Sequence, residues 1–259
     1  MPVGEVGHSA DNEYIEIRSS TELESWGSPL RIGIAFLLGL AVFSQLSCDD
    51  TVGVASGTMD ITTMATPNGG KLKSAEEGPV RSALGQPDIE LDSFRLSVSG
   101  LVDSGFSLSW DEIQEWPSFY SDTILMYCVD GWEVWGNWKG ILVKDLLYEA
   151  RLEENGAHVM FHSVDGYSTS LPVPYIEKYN ALLAYEVNGN ALADYDGFPL
   201  RLIAFGKFGY KWAKWVNWLE VVADPLLGFW ESVGYDNRAD VPMERRRYYE
   251  GPNAEPLDY

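Results

Sequence analysis

One cysteine and three lysines are the residues of this chain best placed to do chemistry. Cys128 closes the apolar run Thr123-Ile124-Leu125-Met126-Tyr127 and is followed by a glycine- and tryptophan-rich stretch from Val129 to Gly140, which reads as a loop. It therefore stands where a buried strand gives way to a loop, a position from which scaffolds commonly present reactive groups. A thiol there is either a small buried hydrophobe or, as thiolate, a nucleophile or a soft metal ligand. Further on, Lys207, Lys211 and Lys214 crowd one short segment of a chain that has only 18 lysines and arginines, and glycines flank the first two. Backbone N–H and ammonium groups in such a loop can converge on an anion; the plain alternative is a solvated basic turn. His158 and His162 could be taken for metal ligands. At i and i+4 of a strand, however, they stand about 13 Å apart, too far to share one ion. No CxxC or CxxCH occurs, which argues against a cysteine-based zinc site and covalent haem.

The order and spacing of the motifs around these residues narrow the choice. The chain reads Cys128-Val129-Asp130-Gly131-Trp132, Trp138-Lys139-Gly140, Leu146-Leu147, Asp165-Gly166-Tyr167, Ser170-Leu171-Pro172, Asn188-Gly189 and Gly197-Phe198-Pro199-Leu200-Arg201-Leu202. It then closes on Gly206-Lys207-Phe208-Gly209-Tyr210-Lys211-Trp212-Ala213-Lys214-Trp215. In that order they resemble the sulfite-oxidase-type molybdopterin-dependent oxidoreductases. The resemblance implies a molybdenum-molybdopterin cofactor, with Cys128 as the single protein ligand to the metal. By position it assigns Ser163, Asp196, Arg201, Lys207, Lys211, Trp212, Ala213 and Lys214 to the pterin and its phosphate. It further implies transfer of an oxygen atom to or from a small substrate, with two electrons exchanged.

The chain departs from the family pattern in three places, of which the second is of minor effect. Asp196 stands where the family often has histidine or asparagine, and an ionised carboxylate can only accept hydrogen bonds. Ala204-Phe205 replaces an aliphatic–proline pair ahead of the lysines. The segment just before Cys128 holds no basic residue, so the arginines that bind sulfite do not carry over. The substrate stays open among sulfite, sulfoxides and N-oxides. No haem or dimerisation domain is recognisable, so the expected electron partner is a separate cytochrome or haem-bearing, quinone-linked membrane protein. Two other classes compete: a cysteine hydrolase using Cys128 with His158 or His162 and Asp165, and a non-catalytic, membrane-tethered binding protein that keeps the fold. Metal content separates all three.

The elements that must position these residues alternate short strands and helices without regular βαβ spacing, which predicts a mixed-sheet α+β domain. Leu96 and Val98 mark a half-buried strand. Ser109 and Glu112 have capping-box spacing and start a short helix ending before Pro117. A helix is expected over 141–152, strands over 157–163, 181–187, 198–205 and 215–222, and a hairpin turn at Asn188-Gly189. Four segments follow: an N-terminal extension with a hydrophobic segment (1–48), a flexible linker rich in Thr, Ser, Gly and Pro (49–86), the molybdopterin-binding domain (87–242) and a C-terminal tail (243–259).

The apolar run Arg31 to Ser47 carries no charge after Arg31. It is shorter than the roughly 20 residues of a spanning helix and suits an export signal. Leu46-Ser47-Cys48 approximates a lipoprotein processing site, with an uncleaved anchor as the competitor, so an exported, membrane-tethered, periplasmic or cell-surface domain is expected. The acidic 1–29 stretch is unusual ahead of such a signal. A formal net charge of −21 argues against nucleic acid and suits a cationic or neutral partner. Hydrophobic residues make up 46% of the chain, enough for a sizeable core.

Overall fold

The computed structural model describes residues 82–259. The apolar run, Cys48 and nearly all of the 49–86 linker lie outside the described residues. Two five-stranded sheets carry the fold, which is mixed α+β as the sequence predicts. The first holds β1 (Arg95–Gly100), β2 (Phe106–Ser109), β5 (His158–Ser163), β6 (Ser168–Pro172) and β10 (Val216–Val222), in the order β2-β1-β10-β5-β6. Within it only β1 and β10 run parallel. The second sheet is antiparallel and holds β3 (Tyr120–Tyr127), β4 (Glu133–Leu142), β7 (Leu182–Val187), β8 (Asn190–Ala191) and β9 (Arg201–Ile203). Leu96 and Val98 from the first sheet and Ile124, Leu183 and Leu202 from the second are buried in one hydrophobic core.

Local sequence explains most of these elements. Ser109 caps α1 (Trp110–Gln114) through the reciprocal bonds of a capping box with Glu112. Asn188 and Gly189 both adopt positive φ, +52° and +79°, which gives the β7–β8 hairpin the mirror-image turn that suits strand twist. Gly140 is required by close approach: a Cβ there would lie 1.9 Å from the Leu183 carbonyl oxygen. α2 (Val143–Glu149) and α3 (Val173–Lys178) connect strands, burying Val143, Leu146, Tyr175 and Ile176.

Three expectations change. The tryptophan-rich stretch after Cys128 is a loop only as far as Trp132; from Glu133 it is strand β4, paired with β3 from Glu133 to Gly140. Its glycines at 136 and 140 hide a strand signal, because here they admit the Trp138 ring and the β7 backbone instead of breaking the strand. The helix expected from 141 starts at Val143, since Ile141 and Leu142 still pair with β7. The strand expected over 198–205 shrinks to Arg201–Ile203. The residues after 242 form α4 (Met243–Glu250) and a C-terminal stretch whose Leu257 and Tyr259 pack against the core.

The feature of the fold that builds the site is one crossover. Because β9 belongs to the second sheet and β10 to the first, the segment 204–215 with its three lysines must pass between sheets. A parallel bridge between Tyr127 and Phe208 ties that crossover to the end of the cysteine strand.

Candidate active site

Cys128 follows the last residue of β3 and is half-buried. The 128–132 loop closes on itself: the Cys128 N–H donates to the Trp132 carbonyl at 2.9 Å and the Gly131 N–H to the Cys128 carbonyl at 3.2 Å. Gly131 adopts a φ of +93°, which such a tight return requires. The loop forms one wall of a cavity of about 630 Å³. Facing it are Arg201 at the start of β9 and Trp212, Ala213 and Lys214 from the crossover, with Asp196 from the 3-10 turn Asp194–Asp196. The structure thus brings six of the sequence-derived site residues to one cavity: Cys128, Asp196, Arg201, Trp212, Ala213 and Lys214.

Arg201 is 5% exposed. Its Nη1 donates to the Asp196 carbonyl at 3.1 Å and stands 3.6 Å from that carboxylate, Nη2 meets Met126 Sδ at 3.1 Å, and the guanidinium lies over the Trp138 ring. Its Nε has no hydrogen-bond partner, and neither has Trp132 Nε1 on the same cavity. Lys214 Nζ donates to the Tyr195 carbonyl. Burial, reinforced by the charge of Arg201, pulls its ammonium down to about 7. Unused donors beside a lysine whose burial and neighbouring arginine outweigh Asp196 and Asp165 suit the binding of an anion.

The other two lysines turn away. Lys207 is 1% exposed and donates to the Arg238 carbonyl at 2.8 Å, to Asp240 and to the Tyr259 hydroxyl, while burial holds it down to about 8. Lys211 is fully buried, ion-paired with Glu231 and bonded to the Ser170 carbonyl and Asn237. Neither lines the cavity. The geometry gives them a structural part: they anchor the crossover to the chain that follows β10. Ser163 is outside the lining as well; its N–H joins it to Tyr167, which lines the cavity, and its buried Oγ has no partner.

Sequence reasoning missed much of the outer wall. Tyr167, Phe229, Trp230, Tyr235 and Tyr210 form a continuous aromatic run with successive ring centroids 5.1–5.8 Å apart, all lining the cavity. Asp130 and Asp165 are the further carboxylates there, and burial raises the pKa of Asp165. Asp165, Tyr167 and Tyr210 were legible as parts of motifs, and Gly228-Phe229-Trp230-Glu231 and Gly234-Tyr235 resemble the family's closing tail, but nothing in the sequence placed these rings on one wall. His158 and His162 stay outside the lining. His162 pairs with Glu220 at 2.9 Å and stacks on Trp218, so neither histidine serves Cys128 as a base in the cavity. Among the described residues no group of histidines, cysteines and carboxylates could hold a metal by itself. A group bound mainly through its own sulfur, with one thiolate from the protein, does not require such a cluster. The soft donor at Cys128 and the unpaired donors opposite fit a sulfur-held metal on an anionic pterin.

A domain of one mixed and one antiparallel sheet, with a strand-end cysteine facing a lysine-bearing crossover across a cavity, has the form of a cofactor-binding domain. Residues 83–230 match the family described as the oxidoreductase molybdopterin binding domain, and the chain belongs to that family. It is 32% identical over 160 residues to the uncharacterized oxidoreductase YuiH of Bacillus subtilis, covering 61% of this chain and 80% of that one. It is 31% identical to the putative protein-methionine-sulfoxide reductase subunit YedZ1 of Azospira oryzae, over 58% of this chain and 56% of that one. With rat mitochondrial sulfite oxidase it shares 30% identity over 60% of this chain and only 34% of the enzyme. The sulfane dehydrogenase SoxCD of Paracoccus pantotrophus shares the fold, with a TM-score of 0.52 at 22% identity over 55% of this chain and 41% of that chain.

Proposed function

We propose that this chain is a molybdenum-dependent oxidoreductase that moves an oxygen atom to or from a small substrate, exchanging two electrons with a separate cytochrome or quinone-linked partner. The observation that carries the reading is the meeting of Cys128 with Arg201, Trp212, Ala213 and Lys214 around one cavity. When bound, the molybdenum-molybdopterin group supplies two-electron oxygen-atom transfer. Cys128 would hold the metal as thiolate, since metal binding favours the deprotonated form. Arg201, Lys214 and the Trp132 N–H would hold the anionic pterin, each gaining a partner it lacks or is short of. Ser163, Lys207 and Lys211 support this wall from behind, and Asp196 keeps Arg201 in place. The protein's share in the reaction is positioning and electrostatics.

The aromatic run limits water at the outer wall and offers an apolar surface to substrate. The basic residues lining the cavity are Arg201 and Lys214, while its carboxylates include Asp130 in the 128–132 loop and Asp165, two residues before Tyr167. A doubly charged anion such as sulfite meets the wrong field there. A neutral sulfoxide or N-oxide with apolar substituents fits better, a choice also supported by the likeness to the putative protein-methionine-sulfoxide reductase subunit of Azospira oryzae.

The test is to produce the protein in a host that makes molybdopterin and to assay bound metal and pterin. About one of each per chain is expected, with turnover of a dialkyl sulfoxide exceeding that of sulfite. Metal-free protein would overturn the enzyme reading, and a preference for sulfite would overturn the substrate class. We further propose an exported, membrane-tethered domain, on the apolar run alone. Among the described residues no helix is long and apolar enough to cross a membrane. Recovery of unprocessed chain wholly in the soluble cytosolic fraction would contradict the tether.

A further inference from the structure

The family match ends at residue 230, yet the helix that follows it reaches back to the cysteine. Arg245, on α4, donates from Nη2 to the Cys128 carbonyl at 3.0 Å and lies 3.5 Å from the Trp132 carbonyl. The same guanidinium pairs with Glu133, the first residue of β4, with Nε at 2.7 Å. It sits between the rings of Tyr127 and Phe208, 5.6 and 5.7 Å from their centroids. One planar side chain therefore touches the last residue of β3, both ends of the 128–132 loop, the first residue of β4 and the crossover. A second anchor on α4 meets the other end of Tyr127: its hydroxyl donates to Glu250 at 2.7 Å, and Glu250 is ion-paired with Arg246.

We propose that Arg245 is a positioning residue for Cys128, fixing the direction in which the thiolate meets the metal; this rests on reading Cys128 as the metal ligand. The physical reason is that both hydrogen bonds that close the 128–132 loop on itself use the Cys128 backbone, and the carbonyls at its two ends converge on one Nη2. Without that cation the two carbonyls repel, and the peptide that carries the thiol is free to rotate. A fork with several donors does this; a lysine ammonium, a single point, cannot reach Glu133 and the Cys128 carbonyl in the same way.

The experiment compares Arg245→Ala, Arg245→Lys and Glu250→Gln with the unaltered chain. Two readouts are taken: the electron paramagnetic resonance spectrum of the partly reduced, molybdenum-loaded protein, and amide hydrogen exchange at Cys128 and Gly131 in protein made without cofactor. Arg245→Ala is expected to keep its molybdenum and pterin, to give a shifted or split spectrum, and to exchange those two amides about tenfold faster, the change that losing one charge-assisted hydrogen bond gives a local opening. Arg245→Lys should fall between. Glu250→Gln, which loosens α4 through the Tyr127 hydroxyl and Arg246 but leaves the Arg245 guanidinium on the Cys128 and Trp132 carbonyls, should leave spectrum and exchange unchanged. A normal spectrum and normal exchange in Arg245→Ala would overturn the proposal, and so would equal effects in Glu250→Gln, which would mean general anchoring only. If Arg245→Ala fails to fold, Arg245→Lys decides on the same two readouts. If the unaltered chain takes up no molybdenum, the enzyme reading fails and the exchange comparison alone judges the clamp.

Discussion

In the proposed function Lys214 and Cys128 make separable contributions, and substitutions should show it. Cys128→Ser is nearly isosteric, so packing loses little; it should abolish turnover while pterin content stays near normal. Lys214→Ala should lose cofactor first, because removing a charge-assisted contact of about 1.5–3 kcal/mol costs one to two decades of affinity. Pterin content after dilution and turnover, measured side by side on both variants, check this. Lys214 also predicts a pH dependence. Its pKa in the folded, cofactor-free protein is depressed to about 7 from an ordinary lysine value, so the burial penalty is present below that pH and is relieved as pH rises through it. Lys207, held down to about 8, acts in the same direction. The cofactor-free protein should therefore gain stability from pH 7 to 9 in urea unfolding, and Lys214→Met should flatten part of that rise. Affinity for pyrophosphate as an anionic probe should fall over the same range in the unaltered chain, because the neutral amine must take up a proton on binding.

At the scale of elements, two motif residues are expected to act through the fold. Gly140→Ala would press a methyl group onto the Leu183 carbonyl across the β4–β7 pairing, where the register already shifts. We expect a loss of about 2–4 kcal/mol in denaturant unfolding, with the cavity residues unaltered. Lys211→Met leaves Glu231, 4% exposed and with one carboxylate oxygen lacking a partner, buried without its counter-charge. The expected loss is about 3–5 kcal/mol, and the double variant Lys211→Met/Glu231→Leu should recover much of it. If Lys211 touched the cofactor instead, the double variant would regain stability but not pterin.

For the whole molecule, the net charge of −21 sets how a partner can approach. Long-range attraction to a cationic electron-transfer protein is screened over about 8 Å at physiological ionic strength. The second-order rate constant for electron exchange should accordingly fall as salt rises, while turnover with a small neutral electron donor stays flat. Equal salt dependence in both assays would remove the charge-steered partner from the proposal.

Periodic and punctuating residues were enough to read the mixed α+β class, the half-buried β1, the capped start of α1, the Asn188-Gly189 hairpin and the strand-end place of Cys128, because each is decided by contacts a few residues apart. The spacing of motifs was enough to name the family and to group Cys128, Arg201 and Lys214, which the fold brings to one cavity. Tertiary structure alone decided which lysines face the cavity. Lys207 and Lys211 differ from Lys214 only in which partners, Asp240 and Glu231, the later chain carries to them, and such pairings across the sequence leave no local mark. The same reason hid β4, whose glycines make room for a neighbouring strand and a tryptophan ring. It also hid α4, where a polar, unremarkable helix sets Arg245 beneath the cysteine loop: one sequence-distant charge finds its place only when the two sheets and the crossover between them have closed.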